Sequence, residues 1–247
     1  MEATRTAGNI RIFEDPEQVA RAGADSFAAI ALSSISDRGL FTVALAGGST
    51  PQLMYQLLAT DEYKNRIDWP RVHTFFGDER CVEPTDPESN YGMADEAMLS
   101  RLPIPSYNVH RISGEGDAVA DASLYEDDLR TFFDPAPFPQ FDLVLLGMGP
   151  DGHTASLFPG TNALNEQKAW VVANWVEKLG TYRITLTPPA INHARNIIFL
   201  VTGESKADRL PEVLGSVRDP QRLPCQLIQP ITGSRLWLVD KAAAQRL

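Results

Sequence analysis

The chain has 247 residues, of which 43% are hydrophobic and 22% charged, with a net charge of −10. That is enough apolar material for one large α/β domain over residues 1–247 and too little net polarity for an intrinsically disordered chain. The acidic balance argues against a non-specific nucleic-acid binder, whose affinity rests on neutralising phosphates with basic side chains.

In chain order, Asn9 to Phe13 (NIRIF) reads as a strand. Pro16 to Ser36 reads as a helix, with Asp15 as N-cap and Pro16 at the first helical position, where its missing N–H costs nothing. Phe41 to Gly47 is an apolar strand and a helix follows from about Pro51 to Ala59. Val72 to Asp78 is the next strand, Ser89 to Arg101 a helix, Asn108 to Ile112 a short strand and Ala118 to Phe133 a helix. The Pro-rich piece Asp134 to Phe141 is a loop leading into the strand Phe141 to Gly149. Ala169 to Val176 and Tyr182 to Thr187 are β-like and suit an antiparallel addition to the sheet. Asn196 to Gly203 is a strand, a helix begins after Ser205, and Arg235 to Asp240 is the last strand. Strands alternating with helices predict an α/β fold: a mostly parallel, Rossmann-like central sheet with helices on both faces and a small antiparallel β addition. The apolar runs LVLL and IIFLV suit strands buried on both sides.

The polar start, Met1 to Thr6, leads into no long apolar run, so neither a signal peptide nor a membrane span is expected. Cys81 and Cys225 make neither a disulfide framework nor a metal-ligand spacing, and are read as reduced thiols of a cytoplasmic protein. There is no H-E-x-x-H, no zinc-spaced Cys/His pair, no EF-hand loop and no G-x-S-x-G elbow, so neither a metal site nor a Ser-His-Asp hydrolase is expected.

Ligands of open α/β sheets bind beyond the carboxyl ends of the strands. Four predicted strands end in polar, Gly-rich sequence: AGGSTP (Ala46 to Pro51), GDER (Gly77 to Arg80), GMGPDGH (Gly147 to His153) and TGESK (Thr202 to Lys206). In the first, Gly47 and Gly48 let backbone approach an anion, Ser49 adds a hydroxyl, and the helix N-terminus offers free N–H groups. It is not a P-loop, because the spacing and the lysine are absent. GMGPDG matches G-x-G-x-x-G, but Pro150 interrupts the stretch that would open the helix, so a dinucleotide site is rejected. Of the four histidines, His73 and His110 fall inside predicted strands as structural residues, and His193 falls in a helix, INHAR, as a cap or surface group. Only His153 follows a Gly-rich turn at a strand end, where an imidazole can serve as a catalytic base near neutral pH. Asp151, two residues earlier, either orients the ring or holds a substrate hydroxyl. Arg80, Arg183 and Lys206 are the candidate anion clamps: the first and last stand just past strand ends, and Arg183 lies inside a strand, where charge is costly unless paired.

AGGSTP, the block Phe75 to Leu99, LLGMGPDGHTASLFPG (Leu145 to Gly160) and the block Tyr182 to Lys206 together resemble the 6-phosphogluconolactonase family, in that family's order and over about 160 residues. The resemblance implies hydrolysis of 6-phospho-D-glucono-1,5-lactone to 6-phospho-D-gluconate in the oxidative pentose phosphate pathway. It implies His153 as the general base, Arg80 and Lys206 on the 6-phosphate beside Gly47, Gly48 and Ser49, and Arg183 supporting the anionic substrate or the developing oxyanion. No metal or organic cofactor is implied. The implied partner is a phosphosugar lactone, with no nucleic acid and no membrane, and the oligomeric state stays open. A second reading is a glucosamine-6-phosphate deaminase, and a third is a non-catalytic sugar-phosphate sensor. The deaminases that the chain also resembles carry a Glu five residues after the loop histidine. Here that position is Phe158, which cannot take part in a proton relay.

Overall fold

The computed structural model describes residues 4–6 and 9–247, so the polar lead-in Met1–Thr6 falls partly outside the described residues. Strand β1 (Thr4–Thr6) pairs antiparallel with β2 (Ile10–Phe13). Helix α1 (Pro16–Arg38) starts as its sequence requires: the Asp15 carboxylate accepts the Gln18 N–H at 2.8 Å and Pro16 opens the first turn. Strand β3 (Phe41–Leu45) is buried at every position and leads into α2 (Ser49–Leu58) and the short α3 (Asp61–Lys64). Then come β4 (Val72–Phe76), β5 (Asp78–Arg80), α4 (Asn90–Ala97), α5 (Ala118–Phe133) and β6 (Leu143–Leu146). The chain continues through β7 (Val171–Val176), β8 (Thr181–Leu186), α6 (Pro188–Asn192), β9 (Asn196–Val201), α7 (Arg209–Leu214), β10 (Ser234–Asp240) and α8 (Lys241–Ala244).

Among the described residues, seven strands form one sheet in the order β1-β2-β10-β9-β6-β3-β4, parallel except at the β1 edge. This is the mostly parallel, Rossmann-like sheet expected from the alternation of strands and helices. β3 is followed outward by β4, whereas β6 returns on the other side of β3. The loops leaving β3 and β6 therefore diverge, and a crevice opens beyond their carboxyl ends.

The antiparallel pair β7–β8 forms as expected, but it belongs to a second, three-stranded sheet in the order β5-β8-β7. The third strand, β5, starts at Asp78, the last residue of the run Val72 to Asp78 that the sequence presents as one strand. Gly77 breaks that run: its N–H donates to Leu45 O at 2.9 Å while its own carbonyl accepts from Leu186 N at 2.8 Å, so the chain changes sheets at this residue. A second predicted strand is absent. Asn108 to Ile112 is not a strand but a 3₁₀ turn over Ser106–Asn108 and a single bridge from Val109 to Thr74. Pro103 and Pro105 fix the approach, the Asn108 amide is drawn to Pro70 O at 2.9 Å, and only His110 N–H reaches a strand carbonyl, Thr74 O at 2.8 Å. The helix expected after Ser205 is α7, and a 3₁₀ turn over Glu204–Lys206 precedes it.

At the amino end of the sheet, Asp142 ties β3 to the start of β6. Its carboxylate is 3% exposed and accepts from Thr42 N at 3.0 Å, Thr42 Oγ1 at 3.1 Å and Arg38 at 2.8 Å, with Arg195 at 3.4 Å. Removing it strands a buried N–H and a hydroxyl. Asp142→Ala is therefore expected to cost about 2–4 kcal/mol, the upper part discounted because both arginines reach solvent. The check is a lower urea midpoint at an unchanged m-value.

Candidate active site

The carboxyl ends of β3, β6 and β9 open on a cleft of about 270 Å³. Its wall contains Gly47, Gly48, Ser49, Arg80, His153 and Lys206, so six of the eight residues singled out in the sequence face one space. Asp151 and Arg183 are not among its lining residues: Asp151 is hydrogen-bonded to His153, and Arg183 is paired across the strands with Arg80.

The β3 end is built to leave N–H groups free. Tyr55, fully buried on α2, donates its hydroxyl to Ala46 O and accepts from Ala46 N, both at 2.9 Å, which holds the chain end in place. Gly48 is the N-cap of α2 at φ 105°, a backbone geometry that L side chains rarely adopt, and no side chain caps the helix's first turn. Neither Ser49 nor Thr50 is the cap: Thr50 Oγ1 instead meets Thr202 Oγ1 at 2.6 Å, tying the β3 and β9 loops together.

The β5 segment contributes a carboxylate and a guanidinium. Asp78 is buried, accepting from Ser156 Oγ at 2.6 Å, and the Asn90 amide donates to its carbonyl at 2.9 Å. Glu79 is turned away from the cleft and caps α4, accepting Asn90 N and Tyr91 N, each at 2.7 Å; burial raises its carboxyl against the pull of those amides. Arg80 faces the cleft, with one guanidinium nitrogen anchored on Glu88 O. Arg183 is its cross-strand partner, 12% exposed, with Glu88 at a loose 3.9 Å. Burial and then the Arg80 charge push the Arg183 guanidinium below its usual range, so the two cations form one positive wall. Lys206, half-buried in its 3₁₀ turn, is lowered by burial and partly restored by the Asp151 charge.

His153 is the most constrained group. The Gly149–Gly152 turn closes with Gly152 N on Gly149 O at 3.0 Å and Gly149 N on His153 O at 2.8 Å. A Cβ on Gly149 would lie 2.1 Å from both Cε1 and Nδ1 of the imidazole, so only glycine lets the ring rest on the loop. On another side the Phe158 ring lies 4.1 Å from it at 31°. His153 Nδ1 meets Asp151 Oδ1 at 2.5 Å, and the His153 N–H donates to the same oxygen at 3.2 Å. The second Asp151 oxygen accepts from Lys178 Nζ. Partial burial would raise the Asp151 carboxyl, but the hydrogen bonds from His153 and Lys178 prevail and hold it well below the ordinary carboxylate range. An ionised Asp151 accepts the Nδ1 proton, which leaves Nε2 as the basic nitrogen. Of the two roles open to Asp151, this contact fits orienting the ring.

The other histidines take no part. His73 Nδ1 and His110 Nε2 lie 3.3 Å apart, and His110 Nδ1 is 2.9 Å from Asp128, at the far edge of the sheet. His193 caps α6 with Nδ1 on Pro189 O at 2.7 Å and stacks on Phe138. Among the described residues no group of three or more His, Cys, Asp or Glu is placed to hold a metal ion. Sequence reasoning missed Asn90, Ser156 and Lys178. Nothing in their spacing separates them from ordinary turn and surface residues.

Comparison with known proteins agrees with this geometry. Residues 14–237 match the family model described as "Glucosamine-6-phosphate isomerases/6-phosphogluconolactonase". The 6-phosphogluconolactonase of Synechocystis sp. is 43% identical over 217 residues, covering 87% of this chain and 88% of the relative. That of Haemophilus influenzae is 40% identical over 205 residues, covering 83% and 87%. The solved 6-phosphogluconolactonase from Trypanosoma cruzi superposes with a TM-score of 0.86 at 30% identity, covering 100% of this chain and 99% of that one.

Proposed function

Because the chain belongs to the glucosamine-6-phosphate isomerase/6-phosphogluconolactonase family, we propose that it hydrolyses 6-phospho-D-glucono-1,5-lactone to 6-phospho-D-gluconate, with His153 as general base. The observation that carries the reading is the imidazole held between Gly149 and Phe158, its Nδ1 on an ionised Asp151, in one cleft with Arg80 and Lys206.

The chemistry follows from those positions. Nε2 of His153 takes a proton from water as the water oxygen bonds to the lactone carbonyl carbon. The tetrahedral intermediate collapses by breaking the bond to the ring oxygen, which leaves as the 5-hydroxyl with the proton returned by the imidazolium. The new carboxylic acid ionises to the gluconate. Asp151 fixes the tautomer and stabilises the transient imidazolium. Arg80 and Lys206 hold the 6-phosphate against the open first turn of α2 at Gly47, Gly48 and Ser49. Arg183, the cross-strand partner of Arg80, adds charge to that wall and supports the anionic substrate through it. The local cations matter because the molecule as a whole is strongly acidic, at −10. We place the reaction in the oxidative pentose phosphate pathway and in the cytoplasm, where the free thiols Cys81 and Cys225 would stay reduced. Among the described residues no helix is long and apolar enough to cross a membrane.

The deaminase reading is weakened at Phe158, whose ring lies 4.1 Å from His153 at 31° and offers no carboxylate for a proton relay. The test is to time the loss of freshly generated lactone against its uncatalysed opening. Lactone loss well above background, with no ammonia from glucosamine-6-phosphate, is the expected result. Ammonia release above that of a His153→Ala control would overturn the assignment.

A further inference from the structure

We propose that Lys178 is a positioning residue for this reaction: standing on the far oxygen of Asp151, it fixes the carboxylate that aims the His153 imidazole into the cleft. The proposal rests on the reading of His153 as base.

Lys178 comes from the turn of the β7–β8 hairpin, 27 residues from Asp151 in sequence, and only the small sheet brings the two together. Its ammonium makes two contacts, one with Asp151 Oδ2 and one over the Phe158 ring, 4.6 Å from the centroid. The opposite neighbour of Phe158 is the His153 ring at 4.1 Å. Lys178 thus touches both groups that hold the imidazole, the carboxylate at Nδ1 and the aromatic ring beside it. Both His153 contacts fall on one oxygen of Asp151, so by themselves they leave the carboxylate plane free to turn about that oxygen. A cation on Oδ2 anchors the second oxygen and fixes the plane. Lys178 itself lines the neighbouring groove with Trp175 and Tyr182, not the cleft that holds His153, so it is placed to act through Asp151 and not on substrate.

The contact also has an electrostatic consequence. Asp151 stabilises an imidazolium, and Lys178 neutralises part of that effect. Removing Lys178 leaves the Asp151 charge undivided beside the imidazole. The other groups facing this pair are Lys206, across the cleft and attractive to Asp151, and the buried Cys225 thiol, which donates to His153 O. Neither takes the place of a cation on Oδ2.

The experiment is steady-state lactone hydrolysis as a function of pH for Lys178→Met and Lys178→Arg, run beside His153→Gln. For Lys178→Met, kcat is expected to fall about five- to tenfold, between the effect of an exposed ion pair and that of a charge-assisted hydrogen bond. KM should change less than about twofold, since the residue lies off the cleft. The acid limb of kcat/KM should move to higher pH, and Lys178→Arg should restore both kcat and limb. A merely structural lysine would leave the limb where it is. An unchanged kcat and limb in Lys178→Met overturns the proposal, as does a loss confined to KM or a kcat loss with the limb unmoved. Lys178→Gln, with thermal midpoints for all variants, serves if the methionine variant folds poorly. The two readings fail separately: near-normal turnover in His153→Gln would remove the base, whereas an inactive His153→Gln beside a wild-type Lys178→Met profile would remove only Lys178.

Discussion

Replacing His153 by alanine is expected to lower kcat by roughly 10²–10⁴-fold, the span lost with a positioned general base, while KM stays close to its original value. The ring is 24% exposed, so its removal opens a small gap beside Phe158 without unseating the fold. Far-UV spectra and the thermal midpoint should therefore stay near those of the parent protein. The acid limb of kcat/KM separates the imidazole from its neighbour. Asp151 is held well below the ordinary carboxylate range, chiefly by His153 and Lys178 against the opposing effect of burial. Its depressed value means that it stays an anion where an ordinary carboxylate would take up a proton. An acid-side loss of kcat/KM then reports proton uptake by the base, and the alanine variant should lose that limb. Near-normal turnover in His153→Ala would remove it from the mechanism.

Arg80→Ala and Lys206→Ala are each expected to raise KM for the phosphorylated lactone by roughly 10–150-fold, from about 1.5–3 kcal/mol per hydrogen bond to a charged group. Both side chains line the cleft opposite the uncapped first turn of α2, where a phosphate would meet two cations and free N–H groups. Lys206 is lowered by burial, so a bound phosphate would favour its charged form and draw its affinity for the proton back up. Arg80→Lys should recover only part of the loss, because an ammonium lacks the planar fork. The decisive control is gluconolactone without the phosphate, on which the parent and both variants should differ far less. An equal loss on both lactones would show that these residues do not hold the phosphate, and would leave Arg80 as the anchor of the Glu88 loop alone.

The sheet was legible in the sequence because buried strands and capped helices are local matters. FTVAL, LVLL and NIIFLV are continuous apolar runs, and Asp15–Pro16 is a helix start whatever surrounds it. The same held for the strand-end residues. Gly47, Gly48, Ser49, Arg80, His153 and Lys206 stand where a parallel sheet must put its ligand, and the parallel order brings their loops to one cleft. Where a run of residues was ambiguous, the contact partners decided. Val72 to Asp78 reads as one strand, and only the hydrogen bonds of Gly77 to Leu45 and Leu186 divide it between two sheets. Asn108 to Ile112 has strand-like composition but finds one partner carbonyl, Thr74 O.

The amino-acid sequence marked most of the strands and helices, the strand ends that meet in the cleft, and His153 as a candidate base. What stands around His153 depends on the tertiary structure. The carboxylate two residues before His153 could orient a ring or bind a hydroxyl until the turn closed and placed Oδ1 2.5 Å from Nδ1. Phe158 became a wall of the imidazole, and Lys178 reached Asp151 from a hairpin in another sheet. Periodicity and turn chemistry are encoded over a few neighbouring residues, so they can be read along the chain. The position of a side chain beside a partner 27 residues away depends on how two sheets pack, and that is a property of the whole fold.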